Sequence, residues 1–151
     1  MSAKLTAFRN LFGNIANLDS DKLFKKVLTS DKGLQQDILD LNRIDQLYDK
    51  GIRADDSSLG RYSKLTKEIK ISKDQVSDHV TLKDTGEFYQ SFKIKAEASD
   101  VIITADTIKP DVDLAEKYGN NILGLTTESK SRMIGWLKAP FVNEMRKAIF
   151  K

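Results

Sequence analysis

The chain has 151 residues, 40% of them hydrophobic and 31% charged, with a formal net charge of +3, which is enough for one domain with a real core. It contains no cysteine, which excludes disulfides, thiolate metal sites, iron–sulfur clusters and cysteine nucleophiles, and fits a chain made in a reducing cytoplasm. Lys4 and Arg9 interrupt the first apolar stretch and no apolar run approaches a membrane span, so a soluble chain without an export address is expected.

Residues 1–51 read as helical. Leu5, Phe8, Leu11, Phe12 and Ile15 recur at helical spacing, and Gly13 weakens the end of that stretch. Asp19 or Ser20 can cap a short helix carrying Leu23, Phe24, Val27 and Leu28. Leu34, Ile38, Leu41, Ile44 and Tyr48 then form one apolar stripe that Gly51 stops. Residues 52–126 change character. Asp55-Asp56-Ser57-Ser58 with Gly60 is a turn-rich loop. Phe92, Ile94 and Ala96 alternate with Lys93, Lys95 and Glu97, which predicts a strand with one wet face. The β-branched run Val101 to Thr104 predicts a second strand, joined to the first by the short Ala98-Ser99-Asp100 connection of an antiparallel hairpin. A short helix is expected over Val112 to Tyr118, ending at Gly119. A longer one, over residues 127–151, is capped by Thr126 or Thr127. Its apolar positions are Ile134, Leu137, Phe141, Met145 and Ile149, with a kink or break near Pro140. The fold expected is a single α+β domain, a small antiparallel hairpin packed against N-terminal and C-terminal helices. Leu82, Phe88, Phe92, Ile94, Ile103 and Leu123 are expected to be buried together.

Groups for catalysis are sparse. His79 is the lone histidine, so no histidine pair can hold zinc, and an exposed loop residue is the plain expectation for it. Asp84-Thr85-Gly86 matches the nucleophile signature of aspartic proteases, but its flanks, Thr81-Leu82-Lys83 and Glu87-Phe88-Tyr89, fit a helix start better, with Asp84 or Thr85 as cap. No enzymatic activity, cofactor or metal is expected. Residues 128–151 carry six Lys/Arg against two Asp/Glu. Lys64, Lys67, Lys70 and Lys73 recur every three residues beside Tyr62. Basic clusters of this kind suit nucleic acid or an acidic partner, and also suit an ordinary solvated helix face.

Four blocks follow one another along the chain. The first is Leu59-Gly60-Arg61-Tyr62-Ser63 with Thr66 and Lys70. The second is Leu82-Lys83-Asp84-Thr85-Gly86-Glu87-Phe88 followed by Ser91-Phe92. The third is Leu114-Ala115-Glu116-Lys117-Tyr118-Gly119, and the fourth is Ile122-Leu123-Gly124-Leu125-Thr126. In this order they resemble the virion-morphogenesis and tail-completion (neck) proteins of tailed bacteriophages. The resemblance covers about two-thirds of the chain; the histidine often found in the third block and the arginine-containing stretch usual before the fourth are missing. It implies a structural protein of the virion, at the joint of head and tail. Such a protein packs with copies of itself in a ring, against other neck, portal or tail proteins and close to packaged DNA, with no membrane partner. The motif residues are given scaffold roles. Trp136, Phe141, Lys138 and Arg146 of the last helix are expected at an interface, because aromatic side chains are enriched there and the basic stretch suits an acidic face of a neighbour. The alternative is a nucleic-acid-binding regulator that uses the basic C-terminal helix.

Overall fold

The computed structural model describes residues 13–98 and 100–150; Leu5, Phe8, Leu11 and Phe12 lie outside the described residues. Residues 13–16 are helical, and Asn14 Nδ2 donates to the carbonyl of Ile149, 2.8 Å away. Helix α1 (Ser20–Ser30) starts where an aspartate can accept a free N–H: Asp19 takes that of Lys22 at 3.0 Å. Asp31 does the same for α2 (Lys32–Asp40), accepting from Leu34 at 3.0 Å. The apolar stripe continues past α2 without a gap, but Leu41–Lys50 winds as a π-helix rather than the α-helix its spacing suggested. It buries Leu41 and Leu47 together with two amides, Asn42 and Gln46.

Gly51 ends that rod at φ +61°, its N–H bonded to the Gln46 carbonyl. A Cβ there would stand 2.6 Å from His79 Cδ2 and 3.0 Å from the Val80 carbonyl oxygen. Gly51→Ala therefore meets both a left-handed backbone and two fixed neighbours, and is expected to cost about 2 kcal/mol in chemical denaturation. A neutral substitution would show that this crossing relaxes freely. His79 is not the exposed loop residue expected. Its side chain is 21% exposed, with Nε2 2.7 Å from the Tyr48 carbonyl and Nδ1 2.9 Å from Asp78 Oδ1. A carbonyl only accepts, so Nε2 donates and the ring pins the end of the rod.

Helix α3 (Lys64–Ser72) is capped by Ser63, which accepts the Thr66 N–H at 3.2 Å. The short α4 (Glu87–Gln90) departs from expectation at its start. Gly86, at φ +91°, holds the cap position without any side-chain bond, and Thr85 Oγ1 accepts the Glu87 N–H at 3.4 Å. Asp84 is not a cap. Its 70% exposed carboxylate instead faces Lys73 at 3.9 Å and Lys70 at 4.0 Å.

Strands β1 (Lys93–Glu97) and β2 (Asp100–Thr104) pair antiparallel, Lys93 opposite Thr104 and Glu97 opposite Asp100. That register leaves a two-residue turn, entered by Ala98 at φ +52°. Helix α5 (Leu114–Tyr118) begins one residue after its Asp113 cap, two residues later than Val112, and a single 3-10 turn, Asn120–Ile122, follows Gly119. Helix α6 (Thr127–Ile149) is capped by Thr126, whose Oγ1 accepts from Ser129 at 3.2 Å. It continues through Pro140, so the break expected there is absent. The proline deletes only the bond to the carbonyl of Trp136, an exposed residue, while Leu137 and Phe141 on either side pack in the core. Packing overrides the local preference.

The architecture is α+β, with N- and C-terminal helices flanking the hairpin. Two apolar clusters form the core. One joins Leu39, Leu47 and Leu59 to Val80, Phe88, Tyr89, Phe92, Leu114 and Ile122. The other sets Val27 and Leu28 of α1, Ile38 of α2 and Leu41 of the π-helix against Leu125 and Leu137. Ile94 and Ile103 touch both, so the hairpin bridges them. Of the residues expected to be buried together, Phe88 and Phe92 are 2% and 5% exposed, while Leu82, Ile94, Ile103 and Leu123 pack against them half-buried. Ile134, expected on the inner stripe of α6, is 60% exposed, and Met133 packs in its stead. Across the α1–α6 contact, Lys26 Nζ lies 2.7 Å from Glu144. Lys26 and Lys147 together hold the Glu144 carboxyl below the usual range.

Candidate functional site: a groove framed by the motif segments

The motif residues meet in space. Tyr62, Thr66 and Lys70 of the first block, Leu82, Thr85, Gly86 and Phe88 of the second, and Tyr118 of the third all line one groove of about 560 Å³. Gly60, Gly119, Leu123 and Gly124 lie outside it and shape its walls. Gly60 (φ +97°) accepts the Val80 N–H at 3.0 Å, and Gly119 (φ +93°) turns the chain from α5 into the 3-10 turn.

Behind the groove, hydroxyls tie its Tyr62 wall to the core. The Tyr89 hydroxyl donates to the Thr81 carbonyl, and the Thr81 N–H donates to the Tyr62 hydroxyl at 3.1 Å. Burial pushes the Tyr89 phenol far above the usual tyrosine range, with Tyr62, Tyr48 and Asp49 adding to the effect. Lys70 lines the groove beside Tyr62. It is 8% exposed, donates Nζ to the Lys83 carbonyl at 2.7 Å and lies 5.4 Å above the Tyr62 ring. The spacing of four lysines had suggested one basic stripe; the structure turns the third inward and leaves the others in solvent. Lys73, Lys83, Lys109 and Lys117 line the groove, where Asp84, Glu87 and Asp111 partly balance them. Two of these contacts are direct: Lys73 with Asp84 and Lys109 with Glu87 at 3.8 Å.

The fourth block is held by a device that its motif does not contain. Asn42 donates Nδ2 to the Ile122 carbonyl at 3.0 Å and accepts the Gly124 N–H at 2.9 Å. One turn further along the rod, Gln46 donates Nε2 to the Gly124 carbonyl and accepts the Thr126 N–H, both at 2.9 Å. Residues 122–126 are thus bonded at every second residue, as an extended strand would be, by two side-chain amides in place of a neighbouring strand. Both amides are within 1% of full burial. Gly124 (φ +128°) approaches Ala54, where a Cβ would stand 3.3 Å from the Ala54 Cβ. Arg53 ties the turn before the first block to the third block. Its guanidinium donates to the carbonyls of Tyr118 and Ser58, and the Ala54 N–H donates to the Asn121 carbonyl at 2.8 Å.

On α6, Trp136 is 37% exposed with Arg132 stacked 5.5 Å from its ring, and Arg132 also pairs with Asp45. Phe141 is half-buried and, with exposed Lys138, borders an apolar recess beside Phe24. Arg146 is exposed. These four do not form one patch with the groove. Asn42, Gln46 and Arg53 are the residues that sequence reasoning missed. Their only sequence signal is two amides four apart on the flank of an apolar stripe.

Among the described residues no group of three or more His, Asp or Glu stands in position to hold a metal ion, and no helix is long and apolar enough to cross a membrane. Comparison with protein-family models, with curated proteins and with solved structures gives no match.

Proposed function

We propose that the protein is a structural subunit of a tailed-phage particle, placed at the joint of head and tail and working by docking and ring-like self-association. The observation that carries this reading is the meeting of the four motif blocks. Residues separated by some sixty positions in sequence, Leu59 and Tyr62, Leu82 and Phe88, Leu114 and Tyr118, Ile122 and Leu123, share a single apolar cluster. Their roles are architectural: turn, core filler, cap and backbone acceptor. Motifs that act only as a frame suit a non-enzymatic subunit whose outer surfaces do the work. The Trp136 side of helix α6 offers such a surface, because Trp136 and, just past the helix end, Phe150 are 37% and 71% exposed. A ring subunit needs two different complementary flanks; the α6 face supplies one.

The test is a phage that encodes this chain without residues 128–151. Filled heads and finished tails are expected to accumulate unjoined, as they would with the whole gene interrupted. Normal joining with the shortened subunit incorporated would remove α6 from the role. The competing reading, a nucleic-acid-binding regulator, requires salt-dependent DNA affinity from the free chain. In α6, Arg132 is engaged by Asp45 and Lys147 by Glu144 at 3.1 Å, which reduces the basic surface left for a phosphate backbone.

A further inference from the structure

The hairpin has two unequal edges. β1 lies against α1 and α2, whereas β2, although Val101 and Ile103 pack their side chains into the core, has no hydrogen-bonding neighbour other than β1 among the described elements. The register leaves Glu97 and Asp100 as the bonded pair that closes the turn, so Asp100, Ile102 and Thr104 direct their N–H and C=O groups at β1. The same alternation directs those of Val101 and Ile103 outward. Within the strand, the side chains that usually protect an edge are missing. Between Asp100 and Thr104 there is no charge, proline or bulge, only Val101, Ile102 and Ile103.

The edge is complementary to itself. An antiparallel copy of β2 centred on Ile102 places Val101 opposite Ile103 of the second copy, and these are the residues whose backbone groups are free to exchange hydrogen bonds. Ile102 then faces its own symmetry mate at the close, non-bonded position. Charge favours the same register. Within one hairpin Glu97 stands opposite Asp100, a like-charge pair only partly offset by Lys95, 3.5 Å from Glu97. In the paired sheet each cross-strand row runs Lys93, Thr104, then Asp100 and Glu97 of the second copy. Lys93 can reach over the short threonine to the acidic pair.

We infer that β2 is a homotypic docking edge, joining two copies of this chain through a continuous four-stranded antiparallel sheet with its twofold axis at Ile102. The contact is isologous and closes on itself. It is therefore distinct from the contacts a ring requires and independent of the place proposed for the subunit in a particle.

The absence of cysteine makes the test direct. A single Ile102→Cys substitution in the full chain puts the lone thiol opposite its symmetry mate, within disulfide reach. Lys95→Cys, on the same face but one strand out in each copy, separates the thiols by three strand spacings, about 14 Å. Under mild oxidation the first variant is expected to give covalent dimers rapidly and the second only slowly. Lys93→Asp and Asp100→Lys, each in the Ile102→Cys background, should each slow cross-linking by about tenfold, and the double exchange should restore it. Equal cross-linking of Ile102→Cys and Lys95→Cys, or a double exchange as slow as the single ones, would overturn the inference. Head–tail joining is a separate readout, so failure of this contact and failure of the neck assignment are distinguishable.

Discussion

Replacing Asn42 with Ala is expected to lower the stability of the fold by about 3–5 kcal/mol, and Gln46→Ala by a similar amount. The reason is not the lost pairs alone. Each amide serves one carbonyl and one N–H of residues 122–126, at 2.9–3.0 Å, from positions 0% and 1% exposed. Truncation leaves those backbone groups inside the protein without partners, and an orphaned buried polar group costs about 1–3 kcal/mol. Asn42→Asp is a sharper probe, because it keeps the acceptor for Gly124 but sets a second acceptor against the Ile122 carbonyl. It should be at least as damaging as Ala. Denaturant midpoints measured for the three variants decide the matter. A loss under about 1 kcal/mol at both positions would mean that water replaces the amides and that the clamp is incidental.

Phe88→Ala should cost about 3–5 kcal/mol, and Phe92→Ala falls in the same range. The two rings stand 5.1 Å apart at 68°, and Tyr89 closes the group at 6.0 Å and 6.3 Å, each pair edge to face. Phe88 is 2% exposed, so truncation removes contacts on nearly every side of the ring. Phe88→Leu keeps most of the volume and should lose far less, about 1–2 kcal/mol. Because the rings touch, the double Ala variant should fall short of the sum of the single ones. Thermal or urea unfolding checks this, and small losses at both positions would mean that the core does not centre on α4.

Elements whose cause is local were legible in the sequence. Asp19 and Thr126 cap the helices they were expected to cap, because a short oxygen side chain before an apolar period has few other uses. The hairpin followed from alternation and β-branching, down to the short turn. Features decided at long range were not legible. Asn42 and Gln46 look like the polar flank of a helix until residues 122–126 arrive beside them. Lys70 looks like its neighbours until the Lys83 carbonyl offers it a buried acceptor. Pro140 signals a break that the packing of α1 along α6 overrides. The groove was legible only as an ordered set of motifs, since spacing alone does not bring Tyr62, Thr85 and Tyr118 together.

The amide clamp also bears on the order in which the chain folds. Asn42 leaves the ribosome 80 residues before the carbonyl it holds. Until then the π-wound rod presents two unpaired amides on its apolar side, which favours a loose, hydrated N-terminal half over a prematurely closed one. The closing of residues 122–126 onto the rod is thus a late, long-loop event whose chain entropy is repaid all at once. A chain built this way is expected to stay open until residues 122–126 have been made, and to become rigid only then.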